Sequence, residues 1–320
     1  MLEKIERALK EYDMLQDCSK VIVGLSGGAD SVSLLYSLKA LSKKLGIEIS
    51  ACHINHNLRG KESDSDEVFV VELCKRLEIE LNVFSVDIKA EKVKHESTEE
   101  CARRLRYSVF GELAEKENAK LATAHNANDN AETILLNITR GTGLKGLCGI
   151  PVVREYLIRP LIYCTRAEVE KFCIQNSLNF CTDKTNFSTD FTRNKIRIEV
   201  IPKLIEINPS LIDGIVRMKS HLDEDSGYLE DSAQKAKIEA TVIEKSYDTA
   251  KLRLLPKPIL RRVIISVLKE SGVEQSNTRI EGIEAIILEE KGKINIEKNK
   301  FAVVKNGGFS ICDILQNYRK

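Results

Sequence analysis

The chain has 320 residues, 42% of them hydrophobic and 30% charged, and its 49 basic and 48 acidic side chains leave a formal net charge of +1. That is ordinary globular material, long enough for two domains. It lacks the global basic field of a nucleic-acid binder, so a polyanion would have to meet a local patch.

MLEKIERALKEYDML sets Leu2, Ile5, Leu9 and Leu15 among charges, which reads as an amphipathic helix rather than a signal peptide. No apolar run reaches membrane-spanning length, and a cytoplasmic protein is expected. Val21–Leu25 is a β-branched run, a buried strand. Apolar residues at 34, 35, 38, 41 and 45 predict a helix from Ser31 to Leu45. Ile47–Ile54 is a second strand, Asp64–Leu77 a helix and Leu81–Val86 a third strand. Thr98–Glu117 is a long helix, Lys120–Thr123 a short fourth strand and Asp129–Thr139 another helix. Strands alternating with helices predict an α/β fold, a parallel sheet with helices on both faces and its ligand at the carboxyl ends of the strands. Ser26, His53 and His125 all follow predicted strands and are expected on that edge.

Beyond residue 200 the character changes. Ile201–Leu229 and Lys257–Ser271 read as helical, and short alternating runs over Lys293–Ile311 surround Asn306-Gly307-Gly308, a hairpin signal. The expected organisation is a catalytic domain over residues 1–205 and a smaller, mostly helical or α+β domain over 206–320. Nine cysteines stand at wide spacings without any C-x-x-C, which argues against a zinc ribbon or a dithiol motif. They read as thiols packed as small hydrophobes, with Cys173 and Cys181, eight residues apart, the pair to watch.

The first strand runs into Ser26-Gly27-Gly28-Ala29-Asp30-Ser31 and then a helix. Backbone N–H groups of a glycine turn backed by a helix N-terminus make an anion site, to which Ser26 and Ser31 add hydroxyls. The loop is neither G-x-x-x-x-G-K-[ST] nor G-x-G-x-x-G. Where a lysine would attend phosphate it carries Asp30, which suits phosphate only through a cation, in the usual Mg²⁺ arrangement of carboxylate plus phosphate oxygens. Ser-Gly-Gly-x-Asp-Ser directly after a strand resembles the PP-loop of the N-type ATP pyrophosphatases, which implies a loop that holds pyrophosphate and an enzyme that transfers AMP.

Four further stretches bear on the function. HINHNLR carries His53, His56 and Arg59. ECARRLRY places Arg103, Arg106 and Tyr107 on one helix face. ATAHNANDNAETILLNITRGTGLKGL stacks His125, Asp129 and Glu132 at i, i+4 and i+7 and ends in a second glycine loop, Arg140-Gly141-Thr142-Gly143. TDKTNFSTDFTRNKIRIEVIPKL is rich in Asn and Arg. Each residue alone has a bland reading: a hydrogen-bonded histidine, a snorkelling arginine, a helix-terminal acid. Their convergence on one edge beside a phosphate loop favours a shared site.

In this order, over residues 18–210, the stretches resemble the tRNA(Ile)-lysidine synthetase family. One departure is Asp183-Lys184-Thr185-Asn186, where the family usually reads Asp-Ser-Thr-Asn. The resemblance implies that ATP adenylates the 2-carbonyl oxygen of the wobble cytidine of a CAU-anticodon isoleucine tRNA. The ε-amine of free L-lysine then displaces AMP. The codon read changes from AUG to AUA and the amino acid from Met to Ile. The implied ATP site is Ser26, Gly27, Gly28, Ala29, Asp30, Ser31 and His53, with Mg²⁺ on Asp30 through phosphates. The implied lysine or cytidine site is Arg103, Arg106, His125, Asp129, Glu132, Arg140, Gly141 and Gly143. Asp30, Asp129, Glu132 and Arg103 are the candidate catalytic groups, and the sequence does not say which carboxylate receives the lysine proton. Arg103 and Arg106 suit either the lysine carboxylate or the cytidine's phosphate. The cations available for tRNA are Arg193, Lys195 and Arg197, and Lys251, Arg253, Lys257, Arg261 and Arg262, five cations in twelve residues. A homodimer and a further C-terminal domain, absent from these 320 residues, are left open. A PP-loop tRNA thiolase would need a sulfur carrier, against which the lack of C-x-x-C argues. A glutaminase-coupled synthetase would lack the His125–Glu132 pattern, and a non-catalytic nucleotide-binding module would not need Asp30 together with Asp129 and Glu132.

Overall fold

The computed structural model describes residues 1–56, 61–181, 192–243 and 245–313. The stretch 182–186, with the Asp-Lys-Thr-Asn departure, and Arg59 lie outside the described residues. In chain order the elements are α1 (Leu2–Glu11), β1 (Lys20–Gly24), α2 (Ala29–Leu45), β2 (Glu48–Asn55), α3 (Lys61–Leu77), β3 (Glu80–Ser85) and α4 (Ile88–Glu91). There follow α5 (Thr98–Glu117), β4 (Lys120–Ala122), α6 (Ala127–Thr139), α7 (Leu144–Leu147), β5 (Val153–Arg154), β6 (Leu157–Ile158) and α8 (Arg166–Gln175). Next come α9 (Thr192–Lys195), continued by a π-helical turn over Ile196–Val200, then α10 (Ile201–Ile207) and α11 (Leu211–Ala240). The last elements are β7 (Thr241–Ile243), β8 (Ser246–Asp248), α12 (Thr249–Arg253), α13 (Lys257–Glu270), α14 (Asn277–Leu288), β9 (Gly292–Glu297), β10 (Lys300–Lys305) and β11 (Gly308–Asp313).

The chain forms two compact units, Met1–Ser220 and His221–Lys320. In the first, a six-stranded sheet has the order β3-β2-β1-β4-β6-β5. All neighbours are parallel except the short β5–β6 hairpin at the edge. Strand alternation divides the core in two. Val21, Val23 and Ala51 pack with Leu34, Leu35 and Leu38 of α2, Ile5 of α1, Val70 and Leu73 of α3 and Val169 of α8. Ile22, Cys52 and Leu121 face the other way, onto Phe110 and Leu113 of α5. Helices therefore cover both faces, as the alternating pattern predicted. The helix α2 that carries the glycine loop is stopped by Gly46 in the left-handed region (φ 66).

The expected boundary at 205 falls inside α10, whereas the compact units meet inside α11. Ile201, Ile212 and Ile215 pack with Ala127, Ala131 and Ile134 of α6, which keeps α10 and the start of α11 with the first unit. The single helix read over Ile201–Leu229 is two helices. Pro209 has no N–H to donate and pushes Asn208 to extended backbone (φ −138, ψ 99). His53 also differs slightly from expectation: it lies within β2, opposite Val83, and His56 is the residue that follows the strand.

The second unit is α+β. Its antiparallel sheet has the order β7-β8-β11-β10-β9, and Phe309, Val304 and Ile296 pack against Val263, Ile264 and Leu268 of α13 and Ile283 and Ile287 of α14. The hairpin signal is realised between β10 and β11, with Asn306 and Gly307 both at positive φ (53 and 76). No described helix is long and apolar enough to cross a membrane. Because Leu34 on α2 is fully buried in the larger core, Leu34→Ala should lower unfolding free energy by about 2–5 kcal/mol. A urea denaturation midpoint close to that of the wild type would contradict this packing.

Candidate active site

The glycine loop leaves β1 at the carboxyl edge of the sheet. Gly27 has φ +88, and a Cβ there would meet Cys181 Sγ at 3.4 Å and the Phe69 and Val70 side chains at 3.6 Å. The Cys181 N–H donates to the Gly27 carbonyl at 2.9 Å. Ser31 Oγ accepts the Ser26 N–H at 3.2 Å and donates to the Gly28 carbonyl at 3.0 Å, closing the loop on itself. Gly28 is the N-cap of α2 and has no side chain to satisfy the first N–H groups, so these donors are left for an anion. His53 is buried beneath the loop, and its Nδ1 donates to the Leu25 carbonyl at 2.8 Å.

Asp30 sits in the first turn of α2. Its Oδ1 accepts the Asn126 side-chain amide at 2.9 Å, and its Oδ2 faces Arg166 at 3.6 Å. Burial pushes the carboxyl up; Arg166 opposes this, Asp129 adds to it, and the Asn126 hydrogen bond again favours the ionised form. Asn126 is wholly buried and bifunctional. Its Oδ1 caps α6 by accepting the N–H groups of Asn128 (2.9 Å) and Asp129 (3.1 Å), while Asp129 Oδ2 accepts the Asn126 N–H at 3.0 Å. One amide thus joins the nucleotide loop to the acidic start of α6. Neither Asn126 nor Arg166 stands out in the sequence. An Asn preceding a helix with Asp three residues later is a capping-box signal, but nothing local shows that its second group reaches Asp30.

Glu132, one turn after Asp129, is 1% exposed. It accepts from Arg193 Nε (2.8 Å) and from Arg197 Nε (2.5 Å) and Nη2 (3.0 Å). Both arginines also face Asp129 Oδ1, at 3.4 and 3.3 Å. Two acids at i, i+3 on α6 therefore interlock with two arginines at i, i+4 across the π-helical turn, a helix irregularity frequent at functional sites. Arg193 and Arg197, read from sequence as an RNA-facing patch with Lys195, are engaged by the acids read as a lysine site; Lys195 is exposed.

His125 follows β4, and its Nδ1 shares a hydrogen bond with Thr123 Oγ1 at 3.0 Å. Burial, then the charges of Arg159, Arg193, Arg103 and Arg106, pull it down to about 3, so the ring is neutral. His56 is pulled down to about 4 by burial and then Arg106. Arg103 lies over the Tyr107 ring, 4.9 Å from its centroid. The second glycine loop is not part of this cluster. Arg140 is the exposed C-cap of α6, with Gly141 and Gly143 beyond it, and eleven residues of helix put Arg140 about 16 Å from Asp129.

In the second unit the basic run is already paired. Arg261 meets Glu284 at 2.8 Å and Glu281 at 3.7 Å, Lys257 meets Glu284 at 3.5 Å and Arg262 meets Glu230 at 3.3 Å. Arg253 pairs with Glu290, and Lys251 donates to the Glu239 carbonyl at 2.7 Å.

A parallel sheet with a Ser-Gly-Gly-x-Asp-Ser turn at its carboxyl edge defines a PP-loop nucleotide-binding domain, and the family model described as the PP-loop domain matches residues 1–204. The tRNA(Ile)-lysidine synthase of Clostridium perfringens (strain ATCC 13124) is 37% identical over 321 residues, 97% of this chain and 68% of that protein. That of Clostridioides difficile (strain 630) is 41% identical over 238 residues, 73% of this chain and 52% of that protein. The chain belongs to the tRNA(Ile)-lysidine synthase family of PP-loop proteins. It spans between about half and two thirds of the length of these curated relatives. A solved structure, the U34-tRNA thiolase NcsA from Methanococcus maripaludis with its 4Fe-4S cluster, shares the fold with a TM-score of 0.57. It is 23% identical and covers 69% of this chain and 79% of that one.

Two outcomes follow from the buried polar links. Removing Glu132 strands two guanidiniums, so Glu132→Ala should cost roughly 3–5 kcal/mol, while the Glu132→Ala/Arg197→Ala pair costs less than the sum of the single changes. Additive losses in a double-mutant cycle would show that the ion pairs contribute nothing. Asn126→Ser keeps a capping oxygen but loses the amide to Asp30. It should melt within a few degrees of the wild type yet need more nucleotide to reach half-maximal binding, and unchanged nucleotide affinity would remove Asn126 from the site.

Proposed function

We propose that this protein ligates free L-lysine to carbon 2 of the wobble cytidine of the CAU-anticodon isoleucine tRNA in the cytoplasm, consuming ATP and releasing AMP and pyrophosphate. The observation that carries the reading is the Asn126 bridge between Asp30 of the nucleotide loop and the Asp129–Glu132 helix. A phosphate loop alone serves many reactions. A phosphate loop rigidly tied to an acidic pair fits a reaction with a second, cationic substrate. The identity to curated lysidine synthases over most of the chain supports the same reading.

In the first step the cytosine 2-oxygen attacks the α-phosphorus, the α–β phosphoanhydride bond breaks and pyrophosphate leaves. The open N–H groups at the start of α2 would take the β and γ phosphates, which would leave the α-phosphorus free for attack. In the second step the lysine ε-nitrogen attacks carbon 2, the carbon–oxygen bond breaks and AMP departs with that oxygen, while the nitrogen gives up a proton. Among the described residues no cluster of three or more His, Cys, Asp or Glu could hold a metal by itself. Asp30 instead fits the common Mg²⁺ pattern of one carboxylate completed by phosphate oxygens, and its partly exposed side chain would hold the ion. Such an ion supplies charge neutralisation of the departing pyrophosphate. Asp129 is the carboxylate for the lysine ammonium, because its ion pairs (3.3–3.4 Å) are looser than those of Glu132. Glu132 holds Arg193 and Arg197 in place.

The thiolase alternative gains nothing from the thiols nearest the loop. Cys173 Sγ lies 3.7 Å from the Ala29 carbonyl, and Cys181 abuts Gly27. Burial pushes these thiols up to about 11 and 12, so neither is a ready thiolate sulfur carrier.

The test is incubation with ATP, radiolabelled lysine and the CAU-anticodon tRNA. Label should enter RNA with AMP and pyrophosphate as co-products; ADP as the tRNA-dependent product would end the reading. Asp30→Asn should lose most activity with its fold intact. Asp129→Ala should raise the lysine concentration needed while tRNA adenylation survives. Ornithine should be poorer than lysine by at least the roughly 10–200-fold that one methylene confers, since the shorter chain also leaves a charge unpaired.

A further inference from the structure

Arg159 takes no part in the links described so far, and its surroundings are unusual. It directly follows β6 at the carboxyl edge of the sheet. The Thr123 N–H donates to the Ile158 carbonyl at 3.0 Å, so Arg159 adjoins the Thr123–His125 segment at the end of β4. Only 4% of Arg159 is exposed. Its Nη1 donates to the Pro151 carbonyl, but its Nε is buried with no hydrogen-bond partner, and no acidic side chain pairs with it among the described residues. A buried guanidinium is ordinarily matched by a carboxylate or a ligand, because its desolvation is otherwise uncompensated. Burial indeed pulls Arg159 below its ordinary value; the Tyr107 hydroxyl favours its charged form, whereas Arg103 and Arg154 oppose it.

The neighbouring cations sharpen the point. Arg103 and Arg106 on α5 are exposed and make no ion pair among the described residues. Arg193 and Arg197 are neutralised by Asp129 and Glu132, and the nucleotide loop has its own N–H donors. Three guanidiniums near this corner therefore have no acidic partner among the described residues, two of them exposed and one buried, beside a neutral imidazole. One amino-acid carboxylate would match only one of them. A nucleic-acid strand brings one negative charge per phosphate and can run from an exposed mouth to a buried end.

We propose that Arg159 is the buried end of an oxyanion pocket, completed by Arg103 and His125, that grips a backbone phosphodiester of the RNA strand beside the nucleotide being modified. The pocket rests on the lysine-ligase reading for its RNA, but not for its anion chemistry. Arg159 acts there as a binding residue through its unpartnered Nε, and His125 adds a neutral donor.

The test uses the whole chain and a synthetic anticodon stem-loop RNA with a CAU loop. Arg159→Gln should weaken RNA binding about tenfold and reduce the slope of log affinity against log salt by close to one contact, about 0.7–0.9. Arg159→Lys should keep the slope while losing part of the affinity, because it keeps charge without the fork. The His125 ring pKa, followed by NMR, should rise when RNA binds to the wild type and rise less in Arg159→Gln. The KM values for lysine and ATP should stay within twofold. If Arg159→Gln does not fold, Arg103→Gln at the mouth should show the same loss of slope. Unchanged RNA affinity with a raised lysine KM would make this a carboxylate pocket, and a raised ATP KM alone would make it a nucleotide pocket; either overturns the proposal. Failure of the wild type to incorporate lysine while it still binds RNA through Arg159 would leave the pocket standing and remove only the ligase reading.

Discussion

The side chain of Asn126 spends its oxygen on the N-terminus of α6 and its nitrogen on Asp30. Both ends are constrained by other things. Asp30 is anchored by α2, whose leucines fill the larger core, and α6 is anchored by Ala127, Ala131 and Ile134 packing on α10 and the start of α11. An amide held this way transmits position, because a buried hydrogen bond that slips leaves both partners unsatisfied. The loop that would hold a nucleotide and the helix that would hold its co-substrate are therefore set by the same group.

Charge is distributed to the same end. A net charge of +1 hides two different populations of cations. Those of the basic run in the second unit meet glutamates, and such exposed pairs do little for stability and leave little field for a polyanion. Arg193 and Arg197 are consumed by Asp129 and Glu132. At the sheet edge of the first unit, Arg103, Arg106 and Arg159 have no acidic partner among the described residues. Counting basic residues along the chain points to the second unit; the buried guanidinium without an acidic partner among the described residues lies in the first.

The neutral histidines follow from this concentration. Burial and several guanidiniums together disfavour a further positive charge, so His125 and His56 are held in the form that can both donate and accept. Neither is held as a cation.

Much of the fold was legible in the sequence because it rests on local signals. The apolar period of α2, the β-branched strands, the glycine turn and the Asn306-Gly307 hairpin are each encoded within a few residues. The carboxyl-edge placement of the glycine loop and His125 followed from strand–helix alternation alone. The two-residue strands β5 and β6 are too short to show a period, and the apolar pattern on either side of Pro209 masks the break there. At the site, the sequence determined which groups exist and which share a helix face: Asp129 with Glu132, and Arg193 with Arg197. That these two faces close on each other, that Asn126 reaches Asp30 across 96 residues of chain, and that Arg159 is buried with no acidic partner among the described residues were decided only by tertiary structure. A helix period specifies neighbours three and four residues apart, but a side chain's burial and its charge partner depend on which distant segment packs against it.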